Sequence, residues 1–120
     1  MRFVSCGKKR LDITFVDDKV IAGLNRKFMN KRGATDVLSF PLEEKKFLGD
    51  LVISLDTAKK QAALLGLGFS DHLLFLVIHG MLHLLGFDHK NKKQKAEMMK
   101  REKFLSRKIK LNLPKTLWDL

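Results

Sequence analysis

The sequence predicts an α+β fold, a small mixed β-sheet packed with helices, and three observations carry that expectation. Short stretches of β-formers fall between residues 11 and 55, each bounded by charged residues, glycine or proline. Segments between and after them space their apolar residues at helical period. Residues 73–85 are apolar almost all round, as in a helix placed inside a core.

In chain order, Leu11–Val16 alternates apolar and polar residues and reads as a strand. Asp17 or Asp18 caps a helix running to about Asn30, with Val20, Ile21, Leu24 and Phe28 on one face. Lys31-Arg32-Gly33-Ala34 breaks it. Thr35–Phe40 is a second strand, stopped by Pro41, and Phe47–Leu55 a third, after the charged turn Glu43-Glu44-Lys45-Lys46, so the two are expected to pair as a hairpin. Asp56 is the expected cap of a helix from Thr57 to about Leu65, which Gly66-Leu67-Gly68 ends. Ser70 is the expected cap of the apolar helix. A last helix is expected from about Asn91 to Ile109, with Ala96, Met99, Phe104 and Leu105 inward and its lysines outward; residues 111–120 form an apolar-tinged tail with no assigned place. Internal repeats, low-complexity segments and Gly/Ser linkers are absent.

At 120 residues the chain is expected to form one domain, 1–120, with 90–120 as a basic helix and tail. Its 45% apolar and 31% charged residues are those of a globular protein and exclude wholesale disorder. A lone cysteine, Cys6, excludes an internal disulfide, suits a reducing cytosol and is expected to be a small buried hydrophobe. The start lacks the apolar stretch of a signal peptide, and Leu73–Ile78 is too short to span a bilayer, so cytoplasmic residence without a membrane partner is expected. Net charge is +11, and residues 90–115 hold eleven Lys or Arg against Glu97 and Glu102, so the basic excess belongs to the C-terminal segment. Lys90, Lys92, Lys93 and Lys95 are candidates to neutralise the phosphates of a nucleic acid beside the chemistry described next. A solvated helix face without a partner also accounts for them. With nine Phe, one Trp and no Tyr, no interleaved aromatic platform for stacking bases is visible.

The chemistry is concentrated in His79-Gly80-Met81-Leu82-His83-Leu84-Leu85-Gly86-Phe87-Asp88-His89, which holds three of the four histidines. On a helix His79 and His83 project from one face, about 5 to 6 Å apart at Cβ. Gly86, free to adopt the left-handed conformation, ends the helix and turns the chain back so that His89 closes the triangle. Three neutral imidazoles are the ligand set of a catalytic zinc, one ion per chain, with water at the fourth position and its pKa drawn down to about 7. His72 lies two turns earlier on the same face, about 10 Å along the axis, too far for a fourth ligand and better suited to a partly buried place or to supporting the ligands from behind. The spacing is that of the metzincin proteases, whose glutamate after the first histidine serves as general base. Gly80 stands there, which disfavours peptide hydrolysis by that route.

The same run resembles the signature of the YbeY family of bacterial endoribonucleases, the rRNA maturation factors, which read His-Gly-x-Leu-His-Leu-x-Gly-Tyr-Asp-His. Only Phe87 departs, replacing the tyrosine. Leu24-Asn25 followed by Thr35-Asp36-Val37-Leu38-Ser39-Phe40-Pro41 resembles the family's other block, and Gly49-Asp50-Leu51-Val52-Ile53 its next strand, so the likeness covers most of residues 11–90. It implies a zincin-like domain built around a buried metal-bearing helix, with zinc on His79, His83 and His89. It implies an endoribonuclease that cuts single-stranded RNA, matures the 3′ end of small-subunit rRNA and serves ribosome quality control, with single-stranded RNA and the small ribosomal subunit as partners.

The chain departs from the family elsewhere. Met29 stands where the family carries an arginine implicated in cleavage, and Arg32 where an acidic residue is common. The N-terminus looks abbreviated, with about ten residues where the family has a strand and a helix. Lys27, Lys31 and Arg32 surround the missing arginine and are candidate phosphate or RNA contacts. Asp88 is a candidate to orient a ligand imidazole from outside the metal's own shell, or simply to stabilise the turn. Ser39 and Asp50 are candidates to line the cleft. Two other readings remain open: a ribosome-assembly or RNA-binding factor with retained zinc and weak catalysis, as Met29 would permit, and a zinc protease or small-molecule hydrolase.

Overall fold

Two strands that run parallel must be joined by a crossover, and the helix that follows the first expected strand supplies part of one. The structure, a computed structural model, describes residues 2–6, 9–42, 47–87 and 90–108. The described elements are β1 (Arg2–Cys6), β2 (Lys9–Val16), α1 (Asp18–Met29), β3 (Val37–Pro41), β4 (Phe47–Ser54), α2 (Leu55–Leu65), α3 (Phe69–Leu84) and α4 (Lys92–Lys108). The strands form one mixed sheet in the order β1-β2-β4-β3, with β2 and β4 parallel and the other pairs antiparallel. The expected hairpin is present, Ser39 lying opposite Leu51 and Val37 opposite Ile53. β1 is an element that residue patterning did not suggest; it pairs along β2 from Arg2–Ile13 to Cys6–Lys9. The side chain of Cys6, the turn 43–46, the pair Asp88 and His89, and the tail from 109 lie outside what the structure describes.

Helix starts agree with expectation at α1 and at α4, where Asn91 accepts from the Gln94 N–H at 2.8 Å, and differ at the other two. Asp17 caps α1, its carboxylate accepting from the Val20 N–H at 2.9 Å. The cap of α2 is Ser54, not Asp56: its hydroxyl accepts from the Thr57 N–H at 3.2 Å, because the strand runs into the helix without a loop. Asp56 instead accepts from the Asp18 N–H at 3.0 Å and ties the two helix starts together. Asp18 completes that joint, accepting from Ser54, Thr57 and Lys60, which hold its carboxyl down to about 2. α3 starts at Phe69 after Gly68, without a side-chain cap, so Ser70 lies inside the helix.

The sheet separates two layers. Leu51 and Val37 face Gly80 of α3, so the residues alternating with them, Asp50 and Leu38, point to the opposite face. Phe40, in phase with Leu38, meets the Phe28 ring of α1 edge-on at 5.6 Å. The core proper lies on the α3 side: Leu11, Ile13, Leu51, Ile53, Ala58, Phe75 and Leu76 are buried together. Gly80 has a packing reason. A Cβ there would lie 2.8 Å from Leu51 Cδ2 and 3.2 Å from Val37 Cγ2, so a larger residue would have to push those side chains aside, and glycine lets the helix come this close to the sheet undisturbed.

The last helix differs from expectation in its inward face. Met98, Glu102 and Ser106, spaced by four, are buried, whereas Ala96 and Phe104 are exposed and Met99 and Leu105 half-buried. Met98 packs on Ile78 and Leu82 of α3, which sets the rotation of the whole helix. The expectation followed the apolar residues; a carboxylate with a partner inside overrides it. α3 is likewise less enclosed than its composition suggests, with Phe69 and Leu74 reaching solvent, as does Leu85 just past its end.

Candidate functional site

α3 carries His79 and His83 on successive turns, and their rings meet edge-on with centroids 4.8 Å apart. The two Nε2 atoms are 3.2 Å apart. Ligand nitrogens on one tetrahedral zinc, each at 2.0–2.1 Å, stand about 3.4 Å from one another, so the separation suits a shared ion. On the other side of its ring, His79 Nδ1 lies 3.1 Å from Glu102 Oε1, where an imidazole N–H donates to the carboxylate. After Leu84 the helix closes in a reciprocal pair of bonds, Gly86 N–H to His83 O and Phe87 N–H to Leu82 O, with Gly86 at φ +99°. The predicted end at Gly86 is therefore present, and the chain turns there toward the undescribed Asp88 and His89. Among the described residues no three His, Cys, Asp or Glu side chains form a metal group.

The histidines border a cleft of about 460 Å³ that runs along the outer strand β3 to the end of α1. Thr35 to Ser39 line its middle, Asn25, Met29 and Lys31 the far bank. Ser39 is in place as expected, and its hydroxyl donates to the Gly80 carbonyl at 3.3 Å, pinning β3 to the histidine helix. Asn25 is buried, and its amide donates to the Gly33 carbonyl at 3.0 Å, holding the loop that presents Lys31. Asp36 joins three elements: it accepts from the Val37 N–H at 2.7 Å and from Gln61 at 3.3 Å, while the other end of that amide meets His72 Nε2 at 2.9 Å. His72 is buried, and burial pushes its imidazole below the ordinary value against the opposing charge of Asp36. It is a structural histidine of the helix–helix contact.

Other candidates are elsewhere. Asp50 does not line the cleft; it lies in register with Asp12 on β2, and burial, then the Asp12 charge, raises its carboxyl. Arg32 lines a separate hollow of about 410 Å³ with Arg26. Lys27 sits over the Phe28 ring at 5.3 Å. Lys90, Lys92, Lys93 and Lys95 are exposed at and before the start of α4 and do not belong to the described cleft lining. Glu102 is the site residue that sequence reasoning missed. Its signal was present: it is one of two acids in a strongly basic segment, at i+4 from Met98.

A chain with this sheet, this helix and this cleft has its relatives in one family of nucleases. The family model for endoribonuclease YbeY matches residues 3–110. Proteins named endoribonuclease YbeY are 46% identical over 95 residues in Persephonella marina, 46% over 111 in Nautilia profundicola and 44% over 114 in Campylobacter jejuni. These alignments cover 74, 91 and 92% of this chain and 62, 77 and 82% of those proteins. The solution structure of TM1509 from Thermotoga maritima is 28% identical, with a TM-score of 0.55 over 83% of this chain and 70% of that one. The chain belongs to the YbeY endoribonuclease family.

Proposed function

We propose that the protein is a zinc-dependent endoribonuclease specific for single-stranded RNA, with His79, His83 and His89 as the ligands of one ion. The observation that carries this reading is the convergence of His79 Nε2 and His83 Nε2 at 3.2 Å on the wall of an open cleft, in a chain of an endoribonuclease family. A zinc ion there supplies Lewis-acid polarisation of a phosphoryl oxygen and a water of lowered pKa. The chain's own residues do the rest. Lys31, exposed on the opposite bank, meets a phosphate of the RNA laid along β3, and the bond from Ser39 to Gly80 keeps β3 and the histidine helix in fixed relation. Gly80 faces the sheet and carries no side chain, so no general base acts from that position, which weighs against peptide hydrolysis.

We place the activity in the cytoplasm, in maturation of the 3′ end of small-subunit rRNA and in ribosome quality control, as the resemblance of the histidine run implies, with the basic C-terminal segment in support. Among the described residues no single helix is long and apolar enough to cross a membrane. A second reading, an assembly factor with retained zinc and weak catalysis, is favoured by Met29, whose thioether occupies the cleft bank where the resemblance leads one to expect an arginine. Metal content and cleavage of single-stranded against duplex RNA, measured on wild type and His83→Ala, decide between them. We expect one zinc per wild-type chain, single-strand cleavage, and loss of both in the variant. Stoichiometric zinc without cleavage would establish the second reading, and no tightly bound ion in the wild type would refute the metal site.

A further inference from the structure

A carboxylate buried on a helix whose outer surface is lysine and arginine needs a donor inside, since burial of a charge without one is costly. Glu102 is 4% exposed and meets that condition at His79 Nδ1, 3.1 Å away. Its position follows from packing: Met98, one turn earlier, is seated against Ile78 and Leu82, so the next inward side chain of α4 arrives at the following face of α3, under the His79 ring. A neutral imidazole has one N–H and one lone pair, and the partner of one nitrogen decides the state of the other. We propose that Glu102 is the positioning residue of the site: it holds His79 as the Nδ1–H tautomer and aims its Nε2 lone pair at the point where His83 Nε2 converges. Sequence offered Asp88 for such a role, and Asp88 lies outside the described residues; the carboxylate that the structure sets on His79 is Glu102, thirteen residues beyond His89 in the chain. The part concerning the ion rests on the metal role proposed for His79, and the test separates the two.

Two variants and two measurements test it. Glu102→Met fills the volume but cannot accept from His79; Glu102→Gln keeps an acceptor and removes the charge. Nitrogen-15 NMR of metal-free protein reads the tautomer of His79, and chelator competition reads zinc affinity. Expected are an Nδ1–H tautomer in wild type and Glu102→Gln that is lost in Glu102→Met, with zinc affinity down about 10- to 100-fold in Glu102→Met and by the lower end of that range in Glu102→Gln. A purely structural glutamate would shift stability and leave the tautomer and the affinity where they were. Wild-type tautomer and affinity in Glu102→Met overturn the inference. If that variant does not fold, affinity of Glu102→Gln within twofold of wild type overturns it. Should wild type bind no zinc, the metal reading fails while the tautomer measurement still decides the role of Glu102.

Discussion

α3 and α4 meet at one imidazole, and they are held in opposite ways. α3 is apolar nearly all round and lies so close to the sheet that a Cβ at position 80 would press on Leu51 and Val37; Phe75 and Leu76 are buried with the core, and Leu73, Val77, Met81 and Leu84 pack against it, so its hold is spread over many side chains. α4 is charged over most of its surface and rests on α3 through a small cluster centred on Met98, with Glu102 as its polar contact at the site. The helix carrying His79 and His83 and the helix carrying Glu102 thus differ in how they are stabilised. Damage to the second should be concentrated in a few positions, and damage to the first dispersed.

The sharpest way to break that comparison is Met98→Ala. Met98 is 1% exposed, so truncation should cost about 2–5 kcal/mol in chemical denaturation, whereas Phe104→Ala, further along the helix and 56% exposed, should stay within about 0.5 kcal/mol. Similar losses for both would mean that α4 is not held by one cluster.

A smaller effect is expected across the cleft from both helices. Met29 is 37% exposed and lines the cleft, so an arginine there need not bury its charge. A guanidinium can clamp a phosphate through two hydrogen bonds where a thioether cannot, and Met29→Arg should raise single-strand RNA cleavage about tenfold, equivalent to about 1.4 kcal/mol of transition-state stabilisation. Zinc content should be unchanged. Unchanged rate with unchanged thermal stability would remove this position from catalysis.

Charge reversal at Lys92, Lys93 and Lys95 tests the outer side of α4 alone. If these side chains track an RNA backbone, each phosphate that is no longer neutralised should flatten the slope of log K against log salt by about 0.7, with little change in stability. An unaltered slope would leave them as a solvated face. The smallest effect concerns the sheet surface turned away from α3. The Asp50 carboxyl is raised by burial and by Asp12, so its favourable contribution is present in acid and lost as pH rises through its folded value. Asp50→Asn should therefore raise the melting temperature at pH 7 and have a smaller effect at pH 4; an equal gain at both would show that charge is not the cause.

The same contrast governs what could be read from sequence. The hairpin, the helix caps at Asp17 and Gly86 and the pairing of His79 with His83 depend on local spacing, and local spacing is visible in a linear chain. The inward face of α4 is not: apolar residues pointed to Ala96 and Phe104, and only the tertiary partner on α3 turns Glu102 inward. Ser54 displaced Asp56 as a cap because strand β4 leads straight into α2, a junction that residue preferences do not display. β1 was missed for want of a clear alternation in residues 2–6, and its existence depends on pairing with β2.

The bond from Asn25 to Gly33 has one more effect. By closing the loop after α1 at a fixed length, it sends two consecutive cations to different places, Lys31 to the histidine cleft and Arg32 to the hollow it shares with Arg26. The end of the helix acts as a watershed. Charge on one slope cannot stand in for charge on the other, so the two guanidiniums nearest in the chain to Met29, Arg26 and Arg32, are of no help to the cleft.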